Sequence, residues 1–207
     1  TTEIYTLSLH DALPISDIRT MERDVEQWLR GGDKDHPSVL DMLGVWQKVR
    51  DGELCPELNP RQRDAVVAAL THQIATISGG AGSGKTFTVG ALTKILEQNF
   101  IRVVLAAPTG KAAKRLEQVV GKEAFTVHRL LGFNGREWTH GPDDPIDADV
   151  VIIGETSMVD LHLAWRLLRA IDHEKTAVVF VGDHNQLPPV GPGDLLRDMI
   201  QIGRAHV

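Results

Sequence analysis

The segment with the clearest chemical potential is a glycine-rich loop, GGAGSGKT, at positions 79–86. It matches the phosphate-loop pattern G-x-x-x-x-G-K-[ST] at every fixed position. Glycines let the backbone wrap a phosphate closely, and the loop N–H groups and a following helix N-terminus supply positive potential. The pattern predicts that Lys85 contacts the outer phosphates of a nucleoside triphosphate and that the Thr86 hydroxyl ligates Mg²⁺. The predicted nucleotide-binding residues of the loop are Gly79, Gly80, Ala81, Gly82, Ser83, Gly84, Lys85 and Thr86.

A phosphate loop needs a strand before it and a helix after it, and the sequence predicts both. Residues 73–78 are apolar and β-branched, which is typical of a buried strand, and residues 87–99 carry apolar side chains at helical spacing. Further buried strands are predicted at 102–107, 149–153 and 176–181, with helices between them. This alternation predicts an α/β fold, with a mostly parallel sheet covered by helices on both faces.

Other helices are predicted from apolar periodicity and from start and stop residues. They are expected at 17–30, from Pro37 to a stop at Asp51, and at 60–70, 109–120, 126–131, 160–171 and 193–200. Residues 133–147 are rich in Gly, Pro and Asp and are predicted to form a surface loop.

Charge and composition restrict the classes of function. The net charge of −6 gives no global basic field, so any contact with nucleic acid must come from a local patch. The one cysteine, Cys55, has no partner for an internal disulfide, which indicates a reduced thiol in a cytoplasmic protein. No apolar run is long enough to span a membrane, so no membrane contact is expected.

The two ends of the chain are expected to be foreign to the fold. Residues 1–15, TTEIYTLSLHDALPI, read as the translation of a common sequencing adapter, and residues 202–207 read as the start of the opposite adapter. We therefore expect residues 1–16 and 202–207 to be adapter-derived and the native protein to continue beyond both ends. Between them we expect a helical appendage with a linker at 17–55 and an α/β domain at 56–201.

Two glutamines and one basic helix are further candidates for chemistry. The amide of Gln62 offers one donor and one acceptor, which suits an adenine edge, although a glutamine on a helix is usually just solvated. Gln186 follows a predicted strand, where it faces the ligand crevice of an open sheet and can sense a γ-phosphate or attacking water. Thr109 and Lys111, at a predicted helix start, can hold a nucleic-acid phosphate, but a solvated basic face fits the composition equally. His128 fits a structural role or a DNA contact.

Together these segments resemble the superfamily 1 DNA helicases, and most closely their RecD-like branch. The resemblance covers residues 58–201. It is carried by GGAGSGKT, AAPTGKAAKRL, TVHRLLG, SMVDL and GDHNQLPPVGPG, which occur in the family's order and spacing. It implies a RecA-like motor domain at 56–201, the first of two, that uses ATP and Mg²⁺ to translocate 5′ to 3′ on single-stranded DNA.

The resemblance also implies roles for single residues and partners. Gln62 would contact adenine, Glu155 would activate water, and Gln186 would couple the γ-phosphate to DNA. Pro108 and Thr109 would belong to the DNA-contacting surface. The second motor domain of the same protein would supply an arginine to the transferred phosphate. The parent would be either a subunit of a nuclease–helicase complex, the exodeoxyribonuclease V alpha subunit, or a stand-alone helicase in DNA repair and recombination.

One position departs from the family pattern. Where the family has an acidic pair at the end of the third strand, this chain has Gly154 followed by Glu155. The missing aspartate would help to hold Mg²⁺ through its hydration shell, so we expect ATP binding with impaired hydrolysis. A non-hydrolysing module that binds ATP and single-stranded DNA is the main alternative. A small-molecule kinase is a further alternative, but it leaves GDHNQLPPVGPG unexplained.

Overall fold

The protein contains one parallel sheet, seen in a computed structural model that describes residues 15–31, 44–201 and 205–206. The strands are β1 (Ile74–Ser78), β2 (Val103–Ala107), β3 (Ala124–Thr126), β4 (Val150–Ile153), β5 (Ala177–Gly182) and β6 (Ala205–His206). Their order across the sheet is β3-β2-β4-β5-β1-β6, and every pair is parallel. This confirms the predicted α/β fold.

Helices connect the strands and precede them. They are α1 (Ile15–Gly31), α2 (Val45–Arg50), α3 (Pro60–Thr71), α4 (Lys85–Gln98), α5 (Gly110–Val120), α6 (Val127–Leu130), α7 (Leu161–Arg169) and α8 (Leu195–Gln201). A short 3-10 helix, Thr156–Met158, lies between β4 and α7. Most bounds lie within a few residues of those predicted, because the cap residues Asn59, Thr109, Thr126 and Asp160 mark the helix starts in the sequence.

Both faces of the sheet are buried, as a parallel sheet requires. Alternate residues of β4 divide between the faces: Val150 and Ile152 pack in one core cluster, and Val151 and Ile153 pack in the other. The first cluster contains residues of α2, α3, α4 and α5, and the second contains residues of α1, α7 and α8. The central strands are therefore inaccessible, and only their ends can carry chemistry.

At the starting edge of the sheet, Arg102 forms ion pairs with Asp147 and Asp149. Arg102 Nη2 donates to Asp149 Oδ1 at 2.8 Å, and the Arg102 backbone N–H donates to Asp149 Oδ2 at 2.8 Å. These hydrogen bonds hold the pKa of Asp149 below its usual range. Because the pair of Arg102 and Asp149 joins the residues just before β2 and β4, it supports the register in which Val103 lies opposite Val150.

The ending edge of the sheet collects the sequence motifs. In parallel strands all carboxyl ends lie at one edge, so the turns that leave β1, β2, β3, β4 and β5 lie side by side there. Because β5 pairs with both β1 and β4, the turn after β5 lies between the glycine-rich loop and the turn that contains Glu155. The sheet order thus positions the candidate site.

Some elements differ from the sequence predictions. The short strand β3 was not predicted, because only three residues separate its start from α6. The predicted segment from Pro37 lies partly outside the described residues, and α2 is its described part. Strand β6 pairs Ala205 with Thr76, although the sequence analysis predicts that residues 202–207 are foreign to the fold. The adapter origin of those residues stays a prediction.

Within the described ranges, the helices are too short or too polar to cross a lipid bilayer.

Candidate functional site

The glycine-rich loop lies between β1 and α4, as predicted. Gly84 has φ +85°, a left-handed conformation that favours glycine, and directly precedes the first helical residue, Lys85. Lys85 Nζ donates hydrogen bonds to the carbonyl oxygen of Gly79 and, at 2.8 Å, to that of Gly80. The ammonium group is therefore held over the loop, where the N-terminus of α4 adds positive potential. This concave, positive surface fits a polyphosphate.

Gln62 joins the start of α3 to the loop. Its Oε1 accepts the Asn59 backbone N–H at 3.0 Å, and its Nε2 donates to the Ser83 carbonyl oxygen at 3.4 Å. A Cβ added to Gly84 would lie 2.5 Å from Gln62 Nε2, so a side chain there would displace the Gln62 amide from the loop. Gln62 thus lies beside the loop, and it also lines a cavity of about 210 Å³ together with Ser83 and Lys85.

Glu155 has an unusual backbone at the end of β4. Its φ and ψ are 52° and 44°, the left-handed region that a residue with a Cβ rarely adopts. Such a conformation costs about 1–2 kcal/mol for an L-residue other than Gly, Asn or Asp. Strain of this kind concentrates where a side chain must point in one direction for function. Here it directs a half-buried carboxylate toward the turn after β5.

Gln186 and Ser157 complete a hydrogen-bonded group around Glu155. Gln186 Nε2 donates to Glu155 Oε2 at 3.5 Å, and Ser157 Oγ donates to Gln186 Oε1 at 3.3 Å. The two contacts use opposite ends of one amide, so they orient it with its NH₂ toward the carboxylate. The structure therefore links the turn after β5 with the turn after β4 through side chains.

Gly154 leaves room beside this group. A Cβ added there would lie 3.4 Å from Leu116 Cδ2 and 3.8 Å from the Ala106 carbonyl oxygen, which is ordinary contact. Gly154 lines the same small cavity as Lys85, Thr86 and Glu155. The position therefore lines the cavity beside the loop and accommodates a Cβ, but this chain offers no carboxylate there.

The turn after β5 is attached on both sides. Ser78 Oγ, at the end of β1, lies 2.8 Å from His184 Nδ1. At the other end of the turn, the Leu161 backbone N–H donates to the Pro192 carbonyl oxygen at 2.8 Å. A Cβ added to Gly191 would lie 2.5 Å from Asp160 Oδ2, so the glycine allows close contact with the start of α7. The proline- and glycine-rich segment is thus packed onto the fold.

The predicted DNA residues lie at the same edge, farther along the sheet. Thr109 caps α5, with its Oγ1 accepting the Ala112 N–H at 3.2 Å, and Pro108 and the exposed Lys111 flank it. His128 lies on α6, after β3, with its ring 5.8 Å from that of Phe133 and 5.5 Å from that of Trp138.

Comparison with known proteins agrees with this geometry. Residues 62–192 match the family described as AAA domain. The chain belongs to that family. The "ATP-dependent RecD2 DNA helicase" of Deinococcus radiodurans is 38% identical over 153 residues, which cover 74% of this chain and 21% of the relative. The "RecBCD enzyme subunit RecD" of Mycolicibacterium smegmatis is 36% identical over 200 residues, which cover 81% of this chain and 36% of the relative.

These matches confirm the resemblance to RecD-like superfamily 1 helicases. The chain spans about a fifth to a third of the length of these relatives. Among solved structures, the Pif1 helicase of Candida albicans has a TM-score of 0.48 and 26% identity, covering 64% of this chain and 34% of that one.

Around the AAA-domain phosphate loop, the structure brings together Gln62, Lys85, Glu155 and Gln186, whose individual roles stay predictions. Pro108, Thr109, Lys111 and His128 lie at the same edge on other turns. Sequence reasoning assigned no role to Asp183, Ser157 or His184. All three lie within motifs quoted for the resemblance, but only the folded arrangement shows what they contact.

We predict that the backbone of Glu155 lowers the stability of the AAA domain. Glu155→Asn should be more stable than Glu155→Gln by about 1 kcal/mol, because asparagine tolerates the left-handed region and glutamine does not. Both variants remove the charge, so their difference isolates the backbone effect. Urea unfolding followed by circular dichroism measures it. Equal midpoints for the two variants would show that the conformation at this position is not strained.

Proposed function

We propose that this chain is the ATP-binding motor domain of a DNA helicase that moves 5′ to 3′ along single-stranded DNA. One observation carries the proposal. Lys85 on the loop after β1, Glu155 after β4 and Gln186 after β5 lie at one edge of the sheet, with Gln186 in contact with Glu155. A cation for phosphates, a carboxylate for water and an amide between them form the group that ATP hydrolysis coupled to movement requires.

ATP is proposed to bind with its phosphates in the glycine-rich loop. Lys85 exchanges the carbonyl oxygens of Gly79 and Gly80 for phosphate oxygens, and the loop N–H groups donate to the same phosphates. Gln62 is positioned at the side of the loop for the adenine base. Its amide is already used by Asn59 and Ser83, so adenine would replace or share these contacts.

Magnesium fits this site only together with the nucleotide. In the described part of the chain, no group of three His, Cys, Asp or Glu side chains is arranged to hold a metal ion. The Thr86 hydroxyl is an oxygen ligand, and Mg²⁺ commonly binds through few protein ligands plus substrate phosphates and water. When bound, Mg²⁺ would supply positive charge that offsets the charge developing on the phosphates.

Hydrolysis is proposed to depend on Glu155 and Gln186. The Glu155 carboxylate orients the attacking water, and the Gln186 amide connects that carboxylate to the turn after β5. Hydrolysis is proposed to be slow, because Gly154 supplies no carboxylate beside the loop.

Single-stranded DNA is proposed to cross the ends of β2 and β3. The N-terminus of α5 with Thr109, the exposed Lys111 and the rigid Pro108 offer contacts for a phosphate, and His128 offers a ring. This local patch is compatible with the overall charge of −6, because only the groups within about a Debye length act strongly on the strand.

The proposed partners follow from the relatives. Both a RecD2 helicase and RecBCD subunits match, so we propose a helicase motor function for this chain, in a cytoplasmic protein of DNA repair and recombination. A second motor domain of the same protein is the expected partner across the ATP site. Subunits of a nuclease–helicase complex are the further proposed partners.

ATP binding is tested with Lys85→Ala. Loss of a charged hydrogen bond to phosphate costs about 1.5–3 kcal/mol, so ATP affinity should fall roughly 10- to 100-fold in titration calorimetry. Lys175→Ala is the matched control, because Lys175 is exposed and lies before β5 at the opposite edge of the sheet. Equal ATP affinity for Lys85→Ala and the wild-type chain would contradict binding at the loop.

Contact with DNA is tested through salt dependence. Each lysine–phosphate contact on a single strand contributes about 0.7 to the slope of log affinity against log salt. Lys111→Ala should therefore weaken oligo(dT) binding and reduce this slope by about 0.7, measured by fluorescence anisotropy, while Lys175→Ala should leave it unchanged. An unchanged slope in Lys111→Ala would place the strand elsewhere on the domain.

A non-hydrolysing module that binds ATP and DNA is the second candidate, and Gly154 is the observation that favours it. A Cβ at position 154 makes ordinary contacts, and Gly154→Asp restores a carboxylate there. If the chain retains a weak ATPase, this change should raise DNA-stimulated turnover about 10- to 100-fold, the range typical of residues that support a metal site. If turnover stays at background in both forms, the non-hydrolysing module is favoured. Robust wild-type turnover would contradict slow hydrolysis by this chain.

A further inference from the structure

We propose that Asp183 supplies the carboxylate that supports Mg²⁺ at the ATP site of this chain, in place of the carboxylate missing at Gly154. This inference rests on the proposed binding of ATP at the glycine-rich loop. It assigns a role to a residue that lies next to the loop but has no part in the roles given above to Lys85, Glu155 and Gln186.

The position of Asp183 is the first observation. It directly follows β5, the strand between β1 and β4, so it lies beside the glycine-rich loop. Its Oδ2 lies 4.0 Å from Lys85 Nζ, and its side chain is only 5% exposed. In the sheet order, a carboxylate directly after β5 is thus nearer to the loop than one at Gly154, which directly follows β4.

The fixed orientation of Asp183 is the second observation. Its Oδ1 accepts the Asn185 backbone N–H at 2.9 Å, which holds one oxygen within its own turn. The other oxygen, Oδ2, faces the lysine of the loop. The carboxylate is therefore preorganised, with one oxygen anchored and one directed at the place where phosphates are proposed to bind.

Charge balance makes this arrangement responsive to the nucleotide. A buried carboxylate is costly unless a cation or several hydrogen bonds compensate its charge. Lys85 provides that compensation at 4.0 Å while it rests on the loop carbonyls. If Lys85 turns to bound phosphates, Asp183 loses part of this compensation, and its free oxygen is then available to support a hydrated Mg²⁺, a role that Gly154 has no carboxylate to fill.

The other carboxylates near the site have different partners. Glu155 is in contact with the amide of Gln186. Asp160 caps α7, accepting the Leu163 N–H at 2.8 Å, and packs against Gly191. Of the acidic side chains in the described part of the chain that lie at this edge, Asp183 is the one paired with the loop lysine.

The test measures how much Mg²⁺ strengthens nucleotide binding. The dissociation constant of a non-hydrolysable ATP analogue is determined in Mg²⁺ and in EDTA for the wild-type chain, D183N, G154D and the double variant. The ratio of the dissociation constant in EDTA to that in Mg²⁺ measures this effect. In the wild-type background, D183N should lower this ratio about 10-fold, as expected for a residue that supports a metal ligand. In the G154D background, where a second carboxylate is present, the same change should have a clearly smaller effect.

Affinity in EDTA controls for folding. D183N should bind the analogue in EDTA as well as the wild-type chain or better, because it removes a negative charge beside the phosphates. Asp143→Asn is the matched control: it makes the same chemical change in the exposed loop between α6 and β4, and should leave the effect of Mg²⁺ unchanged.

A second measurement needs no variant at Asp183. With Mn²⁺ replacing Mg²⁺ on the analogue-bound wild-type chain, the backbone amide signal of Asn185 should broaden at substoichiometric metal, because that N–H bonds Asp183 directly. If Mg²⁺ strengthens analogue binding equally in the wild-type chain and in D183N, the proposed role of Asp183 is wrong. An Asn185 amide signal that persists with Mn²⁺ would contradict it as well. Neither result would contradict ATP binding at the loop. A wild-type chain that binds no analogue in either condition would overturn the proposed function as well.

Discussion

The parallel pairing of β5 with both β1 and β4 is the constraint on which the rest of the site depends. It places three turns side by side at the carboxyl edge of the sheet, where backbone groups are free and helix N-termini begin. Because both sheet faces are buried under helices, this edge is where the chain can combine its charged and polar side chains. The opposite edge, where the strands begin, stabilises the fold instead, because Arg102 and Asp149 hold β2 and β4 in register there.

Within this frame, each strand end contributes a different property. The loop after β1 offers a cation over a concave backbone, the turn after β4 offers a strained carboxylate, and the turn after β5 offers an amide and a buried carboxylate. The ion pair between Lys85 and Asp183 and the hydrogen bond from Gln186 to Glu155 make the turn after β5 the connection between the loop and Glu155. Under the proposed function, this connection would let a change of charge at Lys85 affect Asp183 in the same turn as Gln186.

Much of this arrangement was predictable from the sequence, for identifiable reasons. The loop has a nearly unique pattern, the strands are continuous apolar runs, and Asn59, Thr109 and Asp160 are strong helix caps. Strand β3 was not predicted, because three residues are too few to show an alternating apolar pattern. The contacts of Ser157 and His184 could not be predicted, because they join residues that are 29 and 106 positions apart in the sequence. The contact of Asp183 with Lys85 could not be predicted either, because it depends on the order of the strands in the sheet. The left-handed backbone of Glu155 has no signal in residue type, since glutamate does not favour it.

The central claim is that the strand ends form one ATP site, and a crystal structure of the chain with Mg²⁺ and a non-hydrolysable ATP analogue tests it most directly. The phosphates should lie in the loop at residues 79–86 with Lys85 Nζ moved from the carbonyls of Gly79 and Gly80 onto them, and with the γ-phosphate facing Glu155 and Gln186. Triphosphate bound outside the loop, or Lys85 still held on the loop carbonyls with nucleotide present, would contradict the account.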